Sequence, residues 1–211
     1  MNNVSNMNNL SSMSSKSSKS HPEQPTVVIV PGLRDHVPDH WQTHLAHELP
    51  RSRTVPPLER DRLSRATQVA ALQRELTDTP GPVLLVAHSA GVLTTVHWAR
   101  QHRARVVGAL LAAPPAFDAE LPDGYPSRKE LREHGWSPVP RERLPFPSIV
   151  AASRNDPLAS FDRASSLAAY WGSRLVDLGP VGHLNPASGY GRWPRAMDLL
   201  SELGAMQRAF T

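Results

Sequence analysis

The stretch Val83-Leu-Leu-Val-Ala-His-Ser-Ala-Gly91 begins as an unbroken apolar run and ends in small residues. Such a run, bounded by a turn signal, predicts a strand buried on both faces, here Pro82–His88. The residues that follow, Ala90–His102, predict a helix that starts with no linker. Ser89 therefore stands on a sharp turn between strand and helix. Such a turn is crowded, so the residues two before and two after it have to be small. Here they are Ala87 and Gly91, with Ala90 small as well. The usual pattern is G-x-S-x-G, and A-H-S-A-G meets the same steric need. The helix start then aims free N–H groups and the positive end of its dipole at Ser89. A serine that merely caps a helix is the plainer alternative.

Outward from this segment, strand and helix patterns alternate. Further strands are expected at Thr26–Pro31, Ser52–Pro56, Val106–Ala112, Ser148–Ser153 and Arg174–Leu178. Helices are expected at Asp39–Leu49, at Ser64–Leu76 with Ser64 as its cap, at Phe161–Trp171 with Gly172 ending it, and at Trp193–Met206. Alternation with near-continuous apolar strands predicts an α/β protein: a three-layer α/β/α sandwich around a mostly parallel sheet of about six strands. In such sheets ligands bind beyond the carboxyl ends of the strands. One region breaks the alternation. Pro114–Pro147 is rich in Pro, Arg and Asp, with a short helix expected near Ser127–His134. A connection this long is usually functional or mobile, and it lies where it could cover the ligand edge.

Two other strand ends carry residues that complement Ser89. Ser148–Ser153 is followed by Arg154-Asn-Asp-Pro157, which puts Asp156 in a turn. Arg174–Leu178 is followed by Gly179-Pro-Val-Gly-His183, which puts His183 in a glycine-flanked loop. The order Ser, Asp, His is that of the α/β-hydrolase fold. Ser89 is thus expected as nucleophile, His183 as general base and Asp156 as the acid that orients it. Taken singly, Asp156 also reads as a turn residue before proline and His183 as an ordinary loop histidine. Asp118 and Asp123 are rival acids, but neither follows a strand. An oxyanion would need two N–H donors. Ala90 is expected to supply one, and Leu33, in the loop after the first strand, the other, with Arg34 close behind.

Composition narrows the classes. The chain has 211 residues, enough for one domain. There is no cysteine, which excludes disulfides, thiolate metal sites and a cysteine nucleophile. The formal charge of +4 is spread over stretches interleaved with acids, not gathered into the basic stripe that nucleic acid requires. No apolar run approaches the roughly 20 residues of a membrane span. Residues 1–24 are Ser/Asn-rich and are expected to be a disordered tail before one domain over 25–211. They lack the apolar region of a secretory signal, so the cytoplasm is the expected location.

At four stretches the likeness becomes specific: Val27–Leu33 with Asp39–Trp41 (VVIVPGL…DHW), Val83–Gly91, Ser153–Pro157 (SRNDP) and Gly182–Pro194 (GHLNPASGYGRWP). Trp171-Gly172 fits too. In these the chain resembles the small serine hydrolases related to retinoblastoma-binding protein nine, from about Thr26 to the C-terminus. The resemblance implies a compact α/β-hydrolase with a Ser89–Asp156–His183 triad, no large lid domain and no cofactor. It also implies esterase- or peptidase-like activity, and some family members are known mainly as binding partners. The chain departs at Glu59-Arg-Asp-Arg62, where the family often carries a tryptophan, and across Pro114–Pro147.

The expected activity is hydrolysis of a small-molecule acyl substrate, a carboxylic ester or relative, with peptidase or thioesterase action within the same chemistry. The alternative is a non-catalytic interaction module with a retained triad. The sequence leaves the oligomeric state open. His40, His44 and His47 share a helix face, a spacing that can hold zinc, but without a third ligand type they are expected as surface histidines and no metal is expected. Tyr190 and Trp193, soon after His183, are candidates for lining the acyl pocket. His88 is expected to pack or hydrogen-bond near the Ser89 turn.

Overall fold

The computed structural model describes residues 23–34 and 37–209. Six strands form one parallel sheet: β1 (Thr26–Val30), β2 (Ser52–Thr54), β3 (Val83–His88), β4 (Val106–Ala112), β5 (Ser148–Ala152) and β6 (Arg174–Asp177). Their spatial order is β2-β1-β3-β4-β5-β6. The helices are α1 (Trp41–Glu48), α2 (Arg65–Thr77), α3 (Ala90–Gln101), α4 (Arg128–Glu133), α5 (Phe161–Trp171) and α6 (Arg195–Ala209). The chain runs outward from β1 to β2, then returns past β1 to β3. That reversal opens a crevice between the carboxyl ends of β1 and β3, the place where sheets of this kind bind ligands.

Alternation along the strands feeds two cores. Val28, Val30, Leu85, Ala87, Leu111 and Val150 face one cluster, which takes in α2, α3 and α5. Val27, Ile29, Val86, Leu110 and Ile149 face the other, with Trp41 and Leu45 of α1 and Leu199, Leu200 and Leu203 of α6. The result is the three-layer α/β/α sandwich of an α/β-hydrolase. Each aliphatic side chain buried this fully contributes roughly 1.5–3 kcal/mol. The start and stop residues act locally as expected. The Ser64 hydroxyl accepts from the Thr67 N–H at 3.3 Å, and Gly172 ends α5 in the left-handed region with φ 66°.

Three differences stand out. α1 begins at Trp41, two residues later than expected, and α6 begins at Arg195 and runs on to Ala209. The irregular connection between β4 and β5 is packed down over much of its length. Its Phe117, Leu131, Trp136, Val139, Leu144 and Phe146 are all buried in the first core cluster. The expected tail, apart from Glu23 and Gln24, lies outside the described residues.

Candidate active site

Ser89 joins β3 to α3 with φ 55° and ψ −128°, a strained conformation for a residue bearing a Cβ. Its N–H donates to the Ala112 carbonyl at 3.0 Å, which ties the turn to β4. The small neighbours have a visible cause. A β-carbon on Gly91 would lie 2.2 Å from the Val30 oxygen and 2.5 Å from that of Pro31. One on Gly32 would lie 3.2 Å from Ser89 Cβ, so the loop after β1 passes directly beside the serine.

The structure brings Ser89, His183 and Asp156 into one hydrogen-bonded chain. His183 Nδ1 lies 2.8 Å from Asp156 Oδ2 and 3.0 Å from Oδ1. A carboxylate only accepts, so Nδ1 carries the hydrogen. Nε2 is then the acceptor, 2.9 Å from Ser89 Oγ. Asp156 Oδ1 also accepts from the Leu158 N–H at 2.8 Å. Both ends of the His183–Asp156 pair are almost fully buried, with side chains 5% and 4% exposed.

The loops that deliver this pair are stitched together. Asn155 Oδ1 accepts from the Gly182 N–H at 2.6 Å and from the Ser153 hydroxyl at 3.0 Å. Ser153 Oγ accepts from the Val181 N–H at 3.2 Å. Ser188 Oγ accepts from the His183 N–H at 3.0 Å and is itself held by Asn185. Every residue of Ser153-Arg-Asn-Asp156 thus makes a side-chain bond in this region, Arg154 through an ion pair with Asp177.

Ser89 and His183 open on a cavity of about 430 Å³. Leu33 lines it, and Ala90 is the buried first residue of α3. Phe117, Tyr125 and Pro126 of the long connection form part of its wall. Tyr190 and Trp193, expected there, do not line it. Both pack on the second core cluster, and Trp193 meets Trp41 edge-on at 4.8 Å. Nearness to His183 along the chain does not set which way those rings point. Asp118 is paired with Arg163, and the carboxylate that meets His183 is that of Asp156.

The histidines of α1 separate. His44 bonds Asp39 at 2.9 Å and His47 is exposed. His40 is not a surface residue but is buried against the cavity, where its Nδ1 accepts from the Gln42 N–H and caps α1. Its ring lies 4.6 Å from that of His88, and His88 lies 4.9 Å from His183. Burial, reinforced by His183 and His40, holds the His88 imidazole well below its usual pKa. Neutral His88 donates from Nε2 to the His183 carbonyl at 2.9 Å. Among the described residues, no group of three His, Cys, Asp or Glu side chains is placed to hold a metal ion.

Residues 27–202 match the family described as serine hydrolase. The chain belongs to the serine hydrolase family. A YdeN-like hydrolase from Pectobacterium atrosepticum is 32% identical, with 87% of this chain and 92% of that one covered and a TM-score of 0.74. The ydeN gene product of B. subtilis is 19% identical over 86% of this chain and all of its own, with a TM-score of 0.69. Est1E from Butyrivibrio proteoclasticus, whose structure holds ferulic acid, shares the fold at 10% identity, with 87% of this chain and 92% of that one covered and a TM-score of 0.61. No curated protein matches. In this serine hydrolase, no helix among the described residues is long and apolar enough to cross a membrane.

Sequence reasoning missed several residues of the serine hydrolase site. Asn155, Asn185 and Ser188 carry turn chemistry that flanks the expected acid and base, a signal that was available. Gln42 carried none. It is buried on α1, and its amide donates to the carbonyls of Val30 and Val86 at 3.2 and 2.9 Å.

Proposed function

We propose that this serine hydrolase cleaves a small carboxylic ester or related acyl substrate through an acyl-enzyme on Ser89. The unbroken Asp156–His183–Ser89 chain, with contacts of 2.8 and 2.9 Å at the wall of a cavity, carries the proposal. His183 Nε2 takes the hydroxyl proton as Ser89 Oγ attacks the substrate carbonyl carbon. The carbonyl π-bond electrons move onto oxygen. When they return, the bond to the leaving group breaks, and His183 hands that group the proton. Water then attacks the acyl-enzyme with His183 again as base, which releases the acid and restores Ser89. Asp156 holds the imidazole in the Nδ1–H tautomer and stabilises its cationic form.

The developing oxyanion would be met by the Ala90 N–H and the Leu33 N–H. The first position of a helix has no intrahelical partner for its N–H, and the α3 dipole favours negative charge there. Gly32 lets the Leu33 backbone approach closely. The small serine hydrolases related to retinoblastoma-binding protein nine are the kin group this reading favours, and carboxylesterase action is the subtype it favours.

A fluorophosphonate probe followed by peptide mass spectrometry tests the proposal. The expected adduct is on Ser89 and is lost in Ser89→Ala. Asp156→Asn is expected to lower kcat on 4-nitrophenyl esters by about 10³–10⁴-fold, the scale seen when a triad histidine loses its tautomer, while Asp118→Asn stays active. A folded protein with an unlabelled Ser89 would instead mark an interaction module with a retained triad.

A further inference from the structure

Building on the assignment of Ser89 as nucleophile, we propose that the substrate's acyl group ends in a carboxylate, and that Arg34 receives it. The cavity is lined largely by apolar side chains, among them Leu33, Val37, Leu63, Phe117 and Leu158. Two arginines, Arg34 and Arg62, also line it, and no carboxylate does among the described residues. An apolar pocket lined, among the described residues, by two arginines and no carboxylate suits a substrate that is hydrocarbon near the reacting carbonyl and anionic at its far end.

Arg34 is placed for that contact. It lies two residues beyond Gly32, which abuts Ser89, so their α-carbons are within about 7.6 Å of each other. Its guanidinium carbon sits 5.0 Å from the centre of the Tyr125 ring. A guanidinium packed over an aromatic ring still has N–H donors to offer a carboxylate, which arginine can bind bidentately. Arg34 makes no ion pair with any described residue. The stacking contact also stiffens a side chain that would otherwise lose rotamer freedom on binding.

Sheet order decides which part of the substrate carries the charge. His183 must protonate the leaving group, so that group lies toward the loop after β6. The loops after β1 and β2, which hold Arg34 and lead to Arg62, lie on the other side of Ser89 in the order β2-β1-β3-β4-β5-β6. The acyl group therefore extends toward the arginines. Half-esters of short dicarboxylic acids have this chemistry.

Release of 4-nitrophenolate from mono-4-nitrophenyl adipate, compared with its neutral methyl diester, tests the inference. The anionic ester is expected to have a kcat/KM about tenfold higher or more, the range for a charge-assisted hydrogen bond. Added salt should shrink the preference. Arg34→Gln should bring the ratio close to one. Arg34→Glu should favour 4-nitrophenyl 6-aminohexanoate over the adipate, a reversal that damaged folding cannot mimic. Ser89-dependent cleavage with no preference for the anion, or a preference that survives Arg34→Gln, overturns the anionic acyl group and leaves Ser89 standing. A labelled Ser89 with neither ester cleaved does the same. No label and no cleavage overturns both.

Discussion

A β-carbon placed on Gly91 would lie 2.2 Å from the carbonyl oxygen of Val30. Helix α3 and strand β1 are thus in backbone contact directly beside Ser89. Gly91→Ala has to push the helix off the sheet and is expected to cost about 3 kcal/mol or more. Gly189→Ala, at φ 81° with open space around it, should cost only the roughly 1–2 kcal/mol of a left-handed residue. Urea denaturation of the two variants measures the difference. Similar losses would mean that the close approach at Gly91 is not what requires glycine.

Ser89 sits at φ 55° and ψ −128°, a region that costs a residue with a side chain about 1–3 kcal/mol. Ser89→Gly and Ser89→Ala both remove the hydroxyl and its bond to His183, but only the glycine relieves the backbone. Ser89→Gly is therefore expected to be more stable than Ser89→Ala by about 1 kcal/mol, after glycine's greater chain entropy is allowed for. Thermal unfolding reads the gap. A less stable glycine variant would remove the case for stored strain at the Ser89 turn.

His97, buried on α3, accepts from Arg65 at Nδ1 and faces the Trp136 carbonyl through Nε2. Burial, then Arg65, pushes its pKa down to about 4. The unfolded chain takes up this proton near the usual value of about 6.5. Between those values the unfolded state binds more protons, so stability is complete above about pH 6.5 and falls as pH drops toward 4. The loss from His97 is about 2–3 kcal/mol, and His88 acts in the same direction. The urea midpoint should fall from pH 7 to pH 5, and His97→Gln should show a shallower fall. An unchanged slope in that variant would assign the acid sensitivity elsewhere.

Trp136 fastens the connection between β4 and β5. It is fully buried, its indole N–H donates to the Leu63 carbonyl at 2.7 Å, and Phe117 meets it edge-on at 5.3 Å. Trp136→Ala should cost about 3–5 kcal/mol and loosen the segment. Arg128, Arg132 and Arg141, exposed on that segment, are then expected to be cut by trypsin faster than in the native protein. Limited proteolysis with mass spectrometry reads the cleavage map. Equal cutting in both proteins would mean that Trp136 does not hold the segment down.

Much of this architecture was legible because its signals are local. β1, β3, β4 and β5 announced themselves as β-branched or aliphatic runs, whereas β2, the short edge strand Ser-Arg-Thr, carried a weaker signal. Ser64 and Gly172 marked helix ends by their own chemistry. Ser89, Asp156 and His183 could be aligned because a parallel sheet sends every strand's carboxyl end to one edge. What escaped depended on distant partners. His40 looked like a surface residue until α1 settled against the end of β3. Tyr190 and Trp193 looked like pocket walls until the second core cluster, with Trp41, took up their rings. Trp136 read as core or pocket wall, but the long connection gave no hint that Phe117 and Leu131 would join it, because its prolines and arginines hide their spacing.

The wall made by Phe117, Tyr125 and Pro126 belongs to a single connection, and the strands on either side of it pair without its help, from Ala109 with Ser148 to Ala112 with Ala151. Tyr125 and Pro126, unlike Phe117, Leu131 and Trp136, stand outside the core cluster. Exchanging those two positions therefore re-shapes the cavity without unseating the fold, a direct route to altered selectivity.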